Sequence, residues 1–180
     1  QNFAIKMLNI HDYGKKDYDK KVQLLKSNKE SIEMINYDSD DAIDWDALNA
    51  DLDKNKSNGV VITGVGFPTN KLKIPIDYHI HLKISKQLGL ERRKEYILSH
   101  KEQFPKEVKI IENGLDYQLM NRYSYPYYID VRNRSKIDGW INIDYQDKTG
   151  KQIVVSDSDV YYKAFDMLID FIELFLKKQM

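Results

Sequence analysis

The chain contains no cysteine. That absence excludes a disulfide scaffold, a thiolate metal site and a cysteine nucleophile together, while leaving the compartment open between cytoplasmic and secreted or periplasmic. An excess of either charge is also lacking. Lys+Arg and Asp+Glu number 28 each, so no global field draws the chain to nucleic acid, to an anionic membrane or to an acidic partner. No uncharged apolar run reaches the roughly 20 residues of a membrane span, and no segment has the charged start and apolar centre of a targeting peptide. Repeats of fixed period, low-complexity tracts and Pro/Gly/Ser linkers are missing too. At 180 residues the expectation is one soluble domain covering 1–180, with enough chain to bury roughly 70% of its unfolded surface. Gln1 in place of an initiating Met reads as an N-terminus processed or trimmed after removal of a preceding segment.

What is present is led by Leu72 to Ile84. Leu72, Ile74, Ile76, Tyr78, Ile80, Leu82 and Ile84 alternate with polar neighbours, the pattern of a half-buried β-strand. Pro75 lacks an amide donor and places the first half of this strand at an edge or bulge. His79 and His81 fall on its polar face.

In chain order, Phe3 to Ile10 reads as a short strand with Phe3, Ile5 and Met7 alternating. Tyr18, Val22, Leu25, Ile32 and Ile35 recur at helical spacing, and a second short helix carries Ile43, Trp45, Leu48 and Leu52. Asp53 to Gly59 places oxygen ligands as a calcium loop would. Counted from Asp53, however, its glycine is one place late and Gly64 stands at the twelfth position, where a glutamate is needed. The segment is therefore a polar loop closed by Asn58-Gly59. Val60 to Val65 is the next strand. Gly64 and Gly66 lack the third glycine, the Gly-Lys-Ser/Thr ending and the following helix of a phosphate loop, and are read as a hairpin connection to Leu72.

After Gly89 a charged helix ends before Pro105, and Val108 to Ile111 reads as a short strand. Tyr127, Ile129 and Val131 alternate as another, followed by Ile141 to Tyr145 and, after the turn Asp147-Lys148-Thr149-Gly150, by Ile153 to Val155. These last three form an antiparallel meander. Ser156 to Asp159 supplies capping residues for a long terminal helix, and Lys177 and Lys178 suit the negative end of its dipole. Its polar residues Lys163, Asp166, Asp170, Glu173 and Lys177 form one narrow stripe, so the remaining girth must be covered.

The fold class expected is α+β, with an antiparallel sheet of about six to seven strands packed on the C-terminal helix. Without the inserted helix after Gly89, this order of elements resembles the helix-grip fold of steroid-transfer and plant pathogenesis-related proteins. That resemblance implies a sheet curled around the last helix and an enclosed apolar cavity.

Two constellations carry chemistry. His79 and His81, with Asp77 or Asp144 as a third ligand, could hold zinc or manganese. His79-Ile80-His81 resembles the metal motif of rolling-circle replication and relaxase endonucleases, which implies a helix-borne tyrosine nucleophile at Tyr161 or Tyr162. The companion tyrosine-lysine spacing is absent. None of His11, His79, His81 and His100 begins the His-x-Ser/Thr motif of two-histidine phosphoesterases. The second constellation is the tyrosine-rich stretch Tyr117 to Tyr128, with Arg122, Arg132 and Arg134; Tyr117, Tyr125 and Tyr128, with Arg122, Arg132 and Trp140, are its candidate binding residues, and the stretch reads either as sheet packing or as a contact surface. The function expected is a non-enzymatic binding domain, without a cofactor, that recognises an apolar small molecule or a protein partner; the terminal helix also permits a homodimer. The alternative is a metal-dependent phosphodiesterase. In the first, the histidines point to solvent; in the second, they face the tyrosine across a cleft.

Overall fold

Val22 and Leu24 alternate with polar residues, as do Ile32 and Met34 beyond a turn at Ser27-Asn28-Lys29, and this pattern builds an antiparallel hairpin. Its strands are β1 (Lys21–Leu25) and β2 (Ser31–Ile35), with Leu24 opposite Ile32 and Val22 opposite Met34. The helix expected over this segment is thus replaced by strands. Lys29 turns the chain at φ 68°, and its amide donates to the Lys26 carbonyl at 3.1 Å. The computed structural model describes residues 5–179, with side chains as far as 177; Phe3 and the side chain of Lys178 lie outside the described residues.

The chain is mixed α+β, with several small sheets and a long C-terminal helix. It divides into two compact units: one holds the residues up to Pro75 and Arg92–Ser135, the other Ile76–Glu91 and the chain from Lys136 onward. In the first unit lie a short strand Lys6–Asn9, the β1–β2 hairpin, helix α1 (Trp45–Asn55) and strand β3 (Val60–Thr63). Lys6–Asn9 pairs in parallel with β3, Leu8 against Ile62. Asp44 caps α1, accepting from the Ala47 amide at 3.0 Å, so the helix read around Trp45, Leu48 and Leu52 is present. Helix α2 (Lys86–Ser99) enters this unit at Arg92, followed by α3 (Pro105–Glu112), α4 (Asp116–Leu119) and α5 (Tyr125–Asn133). Leu24, Ile110, Leu115 and Leu119 form a buried core cluster, with Ile32, Met34 and Tyr123 packed against it.

In the second unit β4 (Ile80–Lys83) pairs in parallel with β5 (Gly139–Asn142), and β6 (Asp144–Gln146) pairs antiparallel with β7 (Gln152–Val154). The terminal helix α6 (Asp157–Gln179) begins at the expected cap: the Ser156 hydroxyl accepts from the Asp159 amide at 3.2 Å and donates to its carboxylate at 2.7 Å. Met167 and Phe171 anchor it. A Cβ on Gly139 would lie 2.2 Å from Met167 Cε, and the Tyr78 and Phe171 rings stack at 4.7 Å.

Several expectations are corrected. Among the described residues every sheet has two strands, and two of the four sheets are parallel, so the antiparallel sheet of six to seven strands is not formed there. The proposed long strand from Leu72 is confined to Ile80–Lys83. Val108 to Ile111 is helical, started by Pro105 at a position where no amide donor is needed. Tyr127 to Val131 is also helical, so the C-terminal meander loses its first strand. Tyr127 and Val131, four residues apart, share one helix face. Ahead of α5 the helix widens into a π turn over Met120–Ser124; Pro126 has no amide for the carbonyl a turn earlier, and a widened turn relieves that conflict. α6 is not wrapped. Val160, Ala164, Met167 and Phe171 form its half-buried stripe, and most other apolar positions are exposed.

Candidate functional site

The first unit contains a cleft of about 470 Å³. Its walls are built by helical and turn segments that present side chains three or four residues apart. α2 supplies Arg93, Tyr96 and Ile97, α3 supplies Glu107, and α5 supplies Tyr127 and Val131. Met34 and Ile35 from β2, Ile10, Ile43, Val65 and Phe104 complete an apolar lining. Gly66 lets the Val65 segment approach α5: a Cβ there would lie 2.5 Å from Val131 Cγ1. Tyr96 lies 4.4 Å from His100 and 5.7 Å from Phe104, ring centre to ring centre, which fixes an aromatic rim.

Polar groups are few and placed at particular points. Arg93 and Glu107 line the cleft, and neither side chain has a hydrogen bond or ion pair among the described residues. Asp38 accepts from the Ser124 hydroxyl at 2.6 Å. The Tyr127 hydroxyl donates to Asp40 Oδ1 at 3.2 Å; burial, with the Asp40 charge beside it, raises the tyrosine pKa and keeps the hydroxyl protonated. Asp40 is clamped by Arg134, whose Nη1 and Nη2 donate to its two oxygens at 2.9 and 3.0 Å. Burial pushes the Asp40 carboxyl up, but Arg134, Tyr127 and Lys71 together hold it below the ordinary carboxylate value. This network fixes the position of Tyr127 in the cleft wall.

The histidines are placed otherwise than the sequence pattern implied. His79 and His81 are buried at 6% and 4% exposure, while Leu82 is 47% exposed. His79, just before the strand, and His81 within it therefore turn their imidazoles inward, while Leu82 of the apolar set turns outward. Because strand side chains alternate, one choice of face decides all of them. His79 Nδ1 stands 2.9 Å from the Lys136 carbonyl. A carbonyl only accepts, so Nδ1 carries the proton of the neutral ring. The His79 amide donates to Asp138 Oδ2 at 2.9 Å, and His81 meets Trp140 edge to face at 5.0 Å.

Asp77 is exposed, and Asp144 accepts from the Ser85 amide at 2.7 Å and from Gln152 at 2.9 Å. Tyr161 and Tyr162 are exposed on α6. Among the described residues no three His, Asp or Glu side chains gather where they could hold an ion.

Burial lowers the His79 pKa below the ordinary histidine value, outweighing the Lys136 hydrogen bond and the Asp138 charge. The unfolded chain therefore takes up the proton first. His79 contributes stability that is complete above about pH 6.5, the unfolded value, and is lost as pH falls from there toward the lowered folded value. Urea unfolding of the wild type should lose stability over that interval, and His79→Gln should flatten the slope; an unchanged slope in the variant would contradict the assignment.

The aromatic set does not form the cleft. Tyr117 is 59% exposed at the start of α4, Arg122 is exposed in the π turn, and Arg132 is half-buried on α5. The Tyr125 and Tyr128 rings lie 5.7 Å apart on α5, and Trp140 belongs to the other unit. Tyr127, which belongs to the tyrosine-rich stretch and also reads as a strand residue, is the tyrosine of that stretch that lines the cleft. Arg93, Tyr96 and Val65 gave no signal beyond ordinary helix and strand patterning. Comparison with known protein families, with curated proteins and with solved structures gave no match for this chain.

Proposed function

We propose that this chain is a non-enzymatic binding domain whose first unit takes an apolar small molecule in the cleft between α2, α3 and α5. The observation that carries this reading is the cleft itself: about 470 Å³, lined mainly by aliphatic and aromatic side chains, with a few polar groups at defined points. Ligand sites commonly have this construction, with volumes of roughly 300 to 1,000 Å³. Apolar walls supply most of the affinity, and Arg93, Glu107 and the Tyr127 hydroxyl orient the ligand's polar end.

The test is a fluorescence titration with anilinonaphthalene sulfonate, followed by displacement with unlabelled apolar compounds. Saturable binding to one site is expected. Val65→Trp, which fills the cleft from a half-exposed position, should weaken it about tenfold or more. Leu168→Lys, on α6, should leave it unchanged. Non-saturating binding, or equal binding by Val65→Trp protein of unchanged circular dichroism, would overturn the reading.

A further inference from the structure

The exposed side of α6 has a spacing of its own. Tyr161, Phe165, Leu168, Ile172 and Phe175 follow one another at intervals of four, three, four and three residues. An average interval of 3.5 keeps apolar side chains on one line down a helix, and that line is the seam of a two-stranded coiled coil. It is separate from the stripe Val160, Ala164, Met167 and Phe171 that anchors α6 in its own unit. It is also separate from the polar stripe, where Lys177 pairs with Glu173 at 3.6 Å.

The five seam residues are 66, 50, 41, 42 and 51% exposed in chain order. Ile169 and Leu176 lie beside them and are 39 and 56% exposed. With aromatic side chains contributing most, this face offers on the order of 800 Å² per copy, the size that a standard stable interface buries on each partner. An exposed patch of that extent is beyond what scattered surface apolar residues produce.

We infer that α6 pairs with α6 of a second copy of this chain, the two helices running antiparallel. Direction is set by charge. Asp157 and Asp159 stand in the first turn and Lys177 in the last. A parallel pair would align the two helix dipoles and bring the acidic first turns together, whereas the antiparallel pair opposes the dipoles and sets each acidic first turn beside the partner's C-terminal end, where Lys177 on the polar stripe adds positive charge without being a seam contact. Pairing through this face is independent of ligand binding in the cleft.

The absence of native cysteine makes the arrangement directly testable. Sedimentation equilibrium at tens of micromolar protein should give a dimer. Phe165→Glu and Leu168→Lys, both at exposed positions, should each raise the dimer dissociation constant about a hundredfold with helicity unchanged. Under mild oxidation Leu168→Cys, at mid-seam, should link copy to copy. Tyr161→Cys alone and Phe175→Cys alone should not, because antiparallel helices hold like positions near each end about 20 Å apart; a mixture of these two variants should link. A monomer at all concentrations, a dimer that both seam substitutions leave intact, or ready self-linking by Tyr161→Cys would overturn the inference.

Discussion

Leu24→Ala should lower the unfolding free energy by about 3 kcal/mol, within the range of roughly 2 to 5 for truncating a buried leucine. Leu24 is fully buried on β1 and packs in the cluster of Ile110, Leu115 and Leu119, so truncation removes contacts to α3, to α4 and to the segment joining them. The surrounding groups are tied down. Leu25 donates its amide to Gln118 Oε1 at 2.8 Å, and Gln118 Nε2 returns a bond to the Leu25 carbonyl at 3.3 Å, which limits collapse of the hairpin into the void. Urea denaturation would measure the change, and the melting temperature should fall by about 10 °C. A loss below about 1 kcal/mol would show that Leu24 is not the core contact assigned to it.

The second large effect is expected at Arg134. Its guanidinium holds Asp40 with two hydrogen bonds and contacts Asp130 Oδ2 at 2.8 Å, and both members of the Arg134–Asp40 pair are largely shielded, at 27 and 20% side-chain exposure. Arg134→Ala leaves the Asp40 carboxylate with Tyr127 and a Lys71 ammonium 3.6 Å away. Breaking such a pair from one side costs about 3 kcal/mol, much of it for the charge left behind. The double variant Arg134→Met with Asp40→Asn should be less destabilised than the sum of the two single changes, by about 1 kcal/mol or more. Acid titration gives an independent reading. The Asp40 carboxyl is held below its ordinary value, so its contribution is complete above the unfolded pKa, near pH 4, and disappears as pH falls through the lower folded value. Asp40→Asn should remove that acid-dependent part and leave the neutral-pH loss in place. Strict additivity would deny the coupling.

The elements legible in the sequence are those whose ends carry their own chemistry. Ser156 and Asp159 start α6, Asp44 starts α1, and Asp147 with Gly150 forces the β6–β7 turn, where Gly150 takes φ 83°. Apolar spacing without such end signals misled. Val22, Leu25, Ile32 and Ile35 fit a helical template, yet Val22, Leu24, Ile32 and Met34 fit a hairpin equally well, and only the tertiary demand of the Leu24 cluster selects between them. Tyr127, Ile129 and Val131 fit a strand by alternation, while four-residue spacing also places Tyr127 and Val131 together on a helix. At Lys6–Asn9 and at Ile80–Lys83 the period was right and the face was wrong: Met7 and Leu82 are exposed, and Leu8 and His81 are buried. Periodicity specifies that faces alternate; which of them the core takes depends on partners remote in sequence. The cleft was illegible for the same reason, since Ile10, Met34, Val65, Arg93, Glu107 and Tyr127 are gathered only by the tertiary fold.

The interleaving of the two units bears on how the molecule is made. Ile80 has its ladder partner in Gly139, so on a growing chain β4 emerges with no strand to pair with until all of α2 to α5 has been synthesised. The first unit is interrupted in turn by Ile76–Glu91, and no single proteolytic cut releases either unit whole. Folding therefore follows synthesis in two steps: the first unit can close once Ser135 has emerged, and β4 waits, edge exposed, for the ribosome to deliver β5.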